Sequence, residues 1–141
     1  EQFWTDLHNN YNELQKGGMG KKEARYYLPP YEWYNDTIAA WTGEAGLQLV
    51  NYTPGTLSHA DYTTPDARNY RSSETIYNSI INFEKTSRNG LNGAILLLHI
   101  GTDKKRTDKF YHRLPQLLTY LKRNGYELLR IDDLLQSGNQ H

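Results

Sequence analysis

One histidine in the sequence stands where an imidazole could do acid–base chemistry. His99 ends the apolar part of the run "AILLLHIG", and Gly101 follows closely behind it. Imidazole exchanges protons near neutral pH, so a histidine at the rim of a cleft is a candidate general acid or base. The alternative is a histidine that only closes a strand by hydrogen bonding to a backbone carbonyl. The spacing alone leaves both interpretations open.

The ends of four predicted strands carry the residues that could surround this histidine. They are the stretches "PPYEWYN", "NYTPG", "HIGTD" and "RIDD". In parallel α/β sheets and barrels, ligands bind at the carboxyl ends of the strands. We therefore predict that His99 points into a cleft shared with Tyr31, Trp33 and Tyr52. Pro30 and the proline before it stiffen this segment, although a plain strand exit would explain them equally well.

The segment 53–72 is a second candidate for function. Its 20 residues exceed most connections in compact domains, which indicates a lid or a binding loop. His59 and Asp61 within it raise the idea of a metal site, but two ligands without a third are a weak signal. A solvated loop is the favoured interpretation. The charged run "DKKRTDK", residues 103–109, is likewise interpreted as solvated.

Helices and strands alternate along the predicted chain. Four helices have apolar faces at helical spacing: one ends at Gly17, one is capped by Asn35, one by Ser72 or Ser73, and one begins near Leu114. The predicted strands are "ARYYL", "LQLVNY", "AILLLH" and "YELLRI", and "DDLLQ" is a final helical turn. Strands that alternate with helices pair in parallel, so the sequence predicts an α/β fold.

Composition narrows the class of protein. The 141 residues suffice for one domain with a core, so residues 1–141 are predicted to form a single domain. Lys+Arg and Asp+Glu both number 16, which argues against nucleic acid as a main partner. No apolar stretch approaches the length of a membrane span. Because the chain begins without methionine, apparently inside a helix, it is interpreted as a mature or excised piece of something longer.

Three motifs in this order resemble a known family. "YYLPPYEWYN", then "LVNYTPGTLSHADY", then "ILLLHIG" are similar to the C-terminal half of the polysaccharide deacetylases, the NodB-like carbohydrate esterases, of the kind found in Bacteroidetes. The resemblance covers about residues 3 to 136. It implies the parallel-stranded portion of a distorted (β/α) barrel. It also implies a parent enzyme that removes acetyl groups from N-acetylglucosamine polymers or acetylated xylan.

The resemblance implies roles for particular residues. His99 matches the histidine of the Leu-x-His motif, which protonates the leaving amine or alcohol, and Leu97 would line the pocket for the acetyl methyl. The Pro30–Tyr31 corner matches a motif whose backbone helps to polarise the acetyl carbonyl. Asp61 and Tyr62 fall where the family often has Asp-Trp, a wall of the groove near the acid histidine.

Two departures from the family pattern matter. Leu28 stands where the family commonly has an arginine that buttresses the catalytic aspartate. The base aspartate and the Asp-His-His metal ligands belong upstream of residue 1, so we expect no metal in this chain and a divalent ion, zinc in most relatives, in the parent. Such a half-barrel would leave strand edges unpaired, which predicts self-association or pairing with the missing N-terminal half.

Three functions compete at this point. The first is part of a bacterial deacetylase of acetylated polysaccharide, in the periplasm or outside the cell. The second is a non-catalytic carbohydrate-binding module on the same fold, in which Tyr31, Trp33, Tyr34 and Tyr52 stack on sugar rings. The third is a glycosidase, which needs paired carboxylates at strand ends. Asp132 and Asp133 are adjacent and point in different directions, and Asp132 suits a helix cap, so this option is the weakest.

Overall fold

The computed structural model describes residues 1–137. The chain divides into two compact units, Glu1–Asn51 and Tyr52–His141, and each is described by itself. The prediction of a single domain over residues 1–141 stays a prediction. Among the residues that the structure describes, no helix is both long enough and apolar enough to cross a membrane.

The first unit begins with helix α1, Gln2–Lys16, which ends where the glycine pair predicted. Its apolar face packs through aromatic rings. The centroid of the Phe3 ring lies 5.6 Å from the centroid of the Trp41 ring and 5.8 Å from that of the Tyr27 ring. Further along the same helix, Tyr11 is buried and its hydroxyl donates to the Ala24 carbonyl at 3.0 Å. Aromatic packing therefore holds α1 within this unit.

Two short strands and a helix follow α1 as a β-α-β unit. Strand β1, Tyr26–Tyr27, pairs in parallel with strand β2, Gln48–Leu49. Helix α2, Asp36–Glu44, connects them, and the Asn35 side chain caps it by accepting a hydrogen bond from the Ile38 N–H at 2.9 Å. This unit confirms the predicted parallel pairing and the predicted cap.

A strained turn follows β1. In the 3₁₀ turn Pro30–Glu32, Tyr31 has a φ of 56° and Glu32 a φ of 58°, the left-handed region that favours glycine. The Asn51 amide donates to the Glu32 carbonyl at 3.0 Å and so fixes this turn. The turn leaves the Tyr31 and Trp33 side chains 86% and 83% exposed.

Replacing Glu32 by glycine is expected to stabilise the chain. Glycine removes a left-handed penalty of about 1–2 kcal/mol but loses about 0.5–1 kcal/mol of backbone entropy on folding. The net expectation is a gain of up to about 1 kcal/mol in the free energy of unfolding, measured by urea titration. Glu13→Gly, inside α1, is the matched control and should lose about 1 kcal/mol. Equal losses from the two variants would contradict the assignment of strain to Glu32.

The second unit is built around helices α3, Ser73–Thr86, and α4, Leu114–Arg123. The Ser72 hydroxyl caps α3 by accepting from the Thr75 N–H at 3.1 Å, and a proline lies in the first turn of α4, both as predicted. A short helix α5, Ile131–Ser137, matches the predicted last turn. The buried core joins the two long helices to the chain between them through Ile76, Ile80, Leu91, Phe110, Leu117 and Leu121.

The third and fourth predicted strands are wrong for the described residues. Segment 94–99 and residues 126–130 carry no strand assignment, and the paired sheet consists of β1 and β2. A strand needs a continued backbone ladder. Here the Thr53 N–H donates to the Ile95 carbonyl at 2.8 Å, but the Ile95 N–H donates to the Thr53 hydroxyl at 2.9 Å. Pro54 then offers no N–H, so the pairing stops after one residue.

These two segments instead line an apolar cleft. The cleft has a volume of about 650 Å³, and its walls include Leu96, Leu98, Leu117, Leu121 and Leu128. A polypeptide with unpaired apolar segments is prone to association. The predicted barrel portion and the predicted self-association remain predictions.

Candidate acid–base site

The long segment before α3 is ordered by buried hydroxyl groups. The Thr56 hydroxyl, itself buried, donates to the Thr53 carbonyl at 3.2 Å and lies 3.2 Å from the buried Ser58 hydroxyl. Leu57 adopts a φ of 55°, and the 3₁₀ turn Ser58–Tyr62 follows it. The favoured interpretation of this part as a solvated loop is therefore wrong, because the polar side chains that suggested solvent are satisfied internally.

Asp61 and His99 form the centre of the site. The Asp61 Oδ1 atom lies 2.6 Å from the His99 Nδ1 atom, and Asp61 Oδ2 accepts the backbone N–H of His99 at 2.8 Å. The Asp61 side chain is 1% exposed. A buried carboxylate is stable only when its oxygens are paired, and His99 provides a donor for each of them.

This geometry fixes the protonation pattern of the imidazole. An ionised carboxylate only accepts hydrogen bonds, so the His99 Nδ1 atom carries a proton and donates it to Asp61. The Nε2 atom makes no hydrogen bond to any of residues 1–137, and 34% of the side chain is exposed. The ring is therefore held by one nitrogen and offers the other to solvent or substrate, the arrangement required of a general acid or base.

Aromatic rings border this pair. The Tyr62 ring centroid lies 5.4 Å from that of His99 at an interplanar angle of 56°, and Tyr62 is half exposed. Nearby in the chain, the Tyr52 ring stacks on the His59 ring at 4.2 Å and 20°. The Tyr62 ring therefore lies beside the imidazole, whereas Tyr52 contacts His59, and the role of Tyr62 as a groove wall stays a prediction.

The side chains described do not form a metal site. Within residues 1–137, no three His, Cys, Asp or Glu side chains gather in an arrangement that could hold an ion. His59, considered above as a ligand, stacks on Tyr52, and its buried Nδ1 atom has no partner among the described residues. The residues described therefore do not fit the zinc ion that the resemblance implies for the parent.

The other predicted site residues are divided between the two units. Pro30, Tyr31 and Trp33 belong to the first unit, and Leu97 lies half-buried in the second, just before His99. The prediction that the proline–tyrosine corner shares a cleft with His99 stays a prediction. The carboxylates proposed for a glycosidase lie in α5, and Arg130 binds both oxygens of Asp132, at 3.0 and 2.9 Å.

The charged run after His99 is exposed as predicted at Asp103, Lys104, Lys105 and Thr107, but the prediction is wrong for one residue. Arg106 in the middle of this run is fully buried. The Lys109 ammonium donates to the carbonyls of Thr102 and Asp103, at 2.9 and 2.6 Å. A mixed-charge run in a sequence gives no sign of which member turns inward, so sequence reasoning missed Arg106. The run is an internally bonded loop that continues directly from the candidate acid.

Asp108 is the acidic partner in this loop. It accepts hydrogen bonds from the Ser73 N–H at 2.5 Å and the Tyr70 hydroxyl at 3.2 Å, and Arg106 lies 3.9 Å away. Partial burial by itself would raise the pKa of Asp108, but these hydrogen bonds and the guanidinium outweigh it and hold the pKa below its ordinary value.

Asp108 should therefore make folding sensitive to acid. Since its pKa is depressed in the folded state, its stabilising contribution is present above the unfolded-state value of about 3.9 and is lost as the pH falls through the lower folded value. Asp108→Asn should cost on the order of 1 kcal/mol at pH 7, because the carboxylate is partly exposed. The cost should shrink as the pH falls below about 4, measured by urea unfolding. Parallel pH curves for the two proteins would contradict this assignment.

The comparisons with known proteins add no relative. No family model, no curated protein and no solved structure matches the chain. The resemblance to the polysaccharide deacetylases is therefore carried by its motifs alone. The arrangement of Asp61, Tyr62 and His99 is the observation on which a function can be argued.

Proposed function

We propose that this chain carries the proton-donating part of a hydrolase that removes acetyl groups from an acetylated polysaccharide, with His99 as the general acid. The observation that supports this best is the buried Asp61 carboxylate, which accepts hydrogen bonds from both the imidazole and the backbone N–H of His99. Asp61, Tyr62 and His99 are also the residues that the resemblance assigns to the acid and its groove wall.

The proposed step is a proton transfer to the leaving group. When the acetyl carbon–nitrogen or carbon–oxygen bond breaks, the departing atom of the sugar gains an electron pair and needs a proton. The imidazolium of His99 gives up its Nε2 proton to that atom and becomes neutral, while the other proton stays on Nδ1, hydrogen-bonded to Asp61. The carboxylate balances the positive charge before transfer and keeps the ring aimed, the role that a buried aspartate plays beside a catalytic histidine.

The other half of the reaction requires activation of water. By the resemblance, a base aspartate and a divalent ion, both held by other residues of the parent protein, would supply this activation. We therefore propose that the 141-residue chain alone does not release acetate. The resemblance also places the parent in the periplasm or outside a bacterial cell, where acetylated polysaccharide is its substrate.

Acetate release from the intact parent protein tests this proposal. The parent should release acetate from acetylated xylan or from N-acetylglucosamine oligomers, and a chelator should abolish release until zinc is restored. Release should be absent for the 141-residue chain. A parent that binds these glycans and releases no acetate under any of these conditions would overturn the hydrolase proposal.

Non-catalytic binding of carbohydrate is the second candidate, and one observation favours it. Tyr31 and Trp33 are more than four-fifths exposed on a turn whose backbone is strained. Exposed aromatic rings with polar edges suit contact with a ligand, and strain of this kind collects at binding sites. On this proposal, the 141-residue chain alone binds acetylated xylan or N-acetylglucosamine oligomers.

Calorimetry on the chain alone tests the second candidate. Trp33→Ala should weaken glycan binding at least tenfold, whereas Met19→Ala, which removes another exposed apolar side chain of the same unit, should not. Binding that survives Trp33→Ala unchanged would exclude this surface.

A further inference from the structure

Arg106 is a fully buried cation that bonds to backbone rather than to a single carboxylate. Its Nη1 atom donates to the Thr63 carbonyl at 2.8 Å, and its Nη2 atom donates to the Arg71 carbonyl at 3.0 Å. The guanidinium carbon lies 5.1 Å from the centroid of the Tyr70 ring. The planar fork of an arginine can hold two carbonyls at once, which a lysine ammonium on a flexible stem does poorly.

These contacts tie together the two stretches of chain that supply the acid–base pair. Thr63 is the second residue after Asp61, and Arg106 lies in the loop that continues from His99. The Asp61–His99 hydrogen bonds join these two stretches at one point. The Arg106–Thr63 hydrogen bond joins them a second time, a few residues further along each stretch. The Asp108 carboxylate adds a bond to the Ser73 N–H at the start of α3. The segment between Asp61 and α3 is thus held from the same loop at both of its ends.

We propose that Arg106 is a positioning residue for the Asp61–His99 pair: by holding the Thr63 and Arg71 carbonyls, it keeps the Asp61 carboxylate against the imidazole and the backbone N–H of His99. The proposal rests on the proposed function for its catalytic consequence only. Its structural content concerns the 141-residue chain and is testable there.

The backbone N–H of His99 reports this pairing directly, because it donates to Asp61 Oδ2. Hydrogen exchange at this amide requires the bond to open. In Arg106→Lys, the buried Thr63 carbonyl and the partly buried Arg71 carbonyl lose their donors. We therefore expect exchange at the His99 amide to accelerate by about ten- to a hundredfold relative to the Ile80 amide in the core of α3. Arg68→Lys is the matched control, since Arg68 is an exposed arginine of the same segment, and it should leave this ratio unchanged.

The ratio separates positioning from a general loss of stability. If Arg106 only stabilises the whole unit, the His99 and Ile80 amides accelerate together and the ratio stays at its wild-type value, which would overturn the proposal. If Arg106→Lys does not fold, native-state exchange of the wild-type chain at low urea gives the answer. The amides of His99, Ser73 and Arg106 should then open together at lower urea than Ile80, and a single opening shared with Ile80 would overturn the proposal.

A kinetic measurement on the parent protein adds the catalytic consequence. Arg106→Lys should lower kcat for acetate release about tenfold or more with KM little changed, because orientation of the acid is lost while the glycan contacts stay. If the parent releases no acetate, the proposed function fails, yet the exchange ratio still decides the role of Arg106. If acetate release is confirmed and the exchange ratio is unchanged, only the Arg106 proposal fails.

Discussion

Replacing His99 by alanine is expected to lower kcat for acetate release by the parent protein by about 10²–10⁴-fold. In the proposed function the imidazole supplies a proton to the leaving amine or alcohol, through the Nε2 atom, which makes no hydrogen bond to residues 1–137. Without it, the sugar must leave as a strongly basic anion or take a proton from water. KM should change little, because the loss falls on the transition state rather than on binding.

The controls for this variant are a second histidine and the fold itself. His112 is exposed in the turn before α4 and takes no part in the pair, so His112→Ala should keep the wild-type rate. Circular dichroism should show that His99→Ala retains its helices, although Asp61 loses one of its two donors. A rate within twofold of wild type for His99→Ala would remove the acid role from this residue.

The helices were the most predictable part of the fold, for local reasons. Asn35 and Ser72 are side-chain caps whose partners lie three residues along the chain, so the signal and the structure occupy the same short stretch. The glycine pair after α1 acts just as locally. The predicted strands at segment 94–99 and residues 126–130 failed because a strand depends on a partner that its own residues do not specify.

The site was predictable in part. His99 stands out because it interrupts an apolar run, but nothing local distinguishes Asp61 from the other polar residues of its loop. Its hydrogen bonds span 38 positions, and periodicity contains no information at that distance. The motif resemblance brought Asp61 and His99 together, and local composition favoured a solvated loop. The sequence pattern of a mixed-charge run does not predict the burial of Arg106, since only the fold determines which cation turns inward.

The two hydrogen bonds that Asp61 accepts also explain why a side chain of the same shape cannot take its place. His99 has two donors, the backbone N–H and the imidazole Nδ1–H. Each of them donates to a different oxygen of the Asp61 carboxylate. An asparagine of nearly the same size has one acceptor oxygen and one donor NH₂ group. Only one of the two donors can then be satisfied while the ring keeps its proton on Nδ1.

Asp61→Asn is therefore expected to reverse the tautomer of His99. If the amide oxygen accepts the backbone N–H, the amide NH₂ faces Nδ1, which must become an acceptor and leave the proton on Nε2. In the 141-residue chain, the ¹⁵N chemical shift typical of a protonated ring nitrogen should belong to Nδ1 in the wild type and to Nε2 in the variant. In the parent, acetate release should fall by about 10³–10⁴-fold, since the imidazolium needed for proton donation has lost its balancing charge and its orientation.

Asp66→Asn, an exposed carboxylate in the same loop, is the matched control and should change neither the ring shifts nor the rate. Two outcomes of Asp61→Asn carry different conclusions. A reversed tautomer without loss of rate would keep the hydrogen-bond geometry and remove His99 from the chemical step. An unchanged tautomer together with unchanged hydrogen-exchange protection of the His99 amide would contradict the geometry, in which each of the two donors meets a different oxygen.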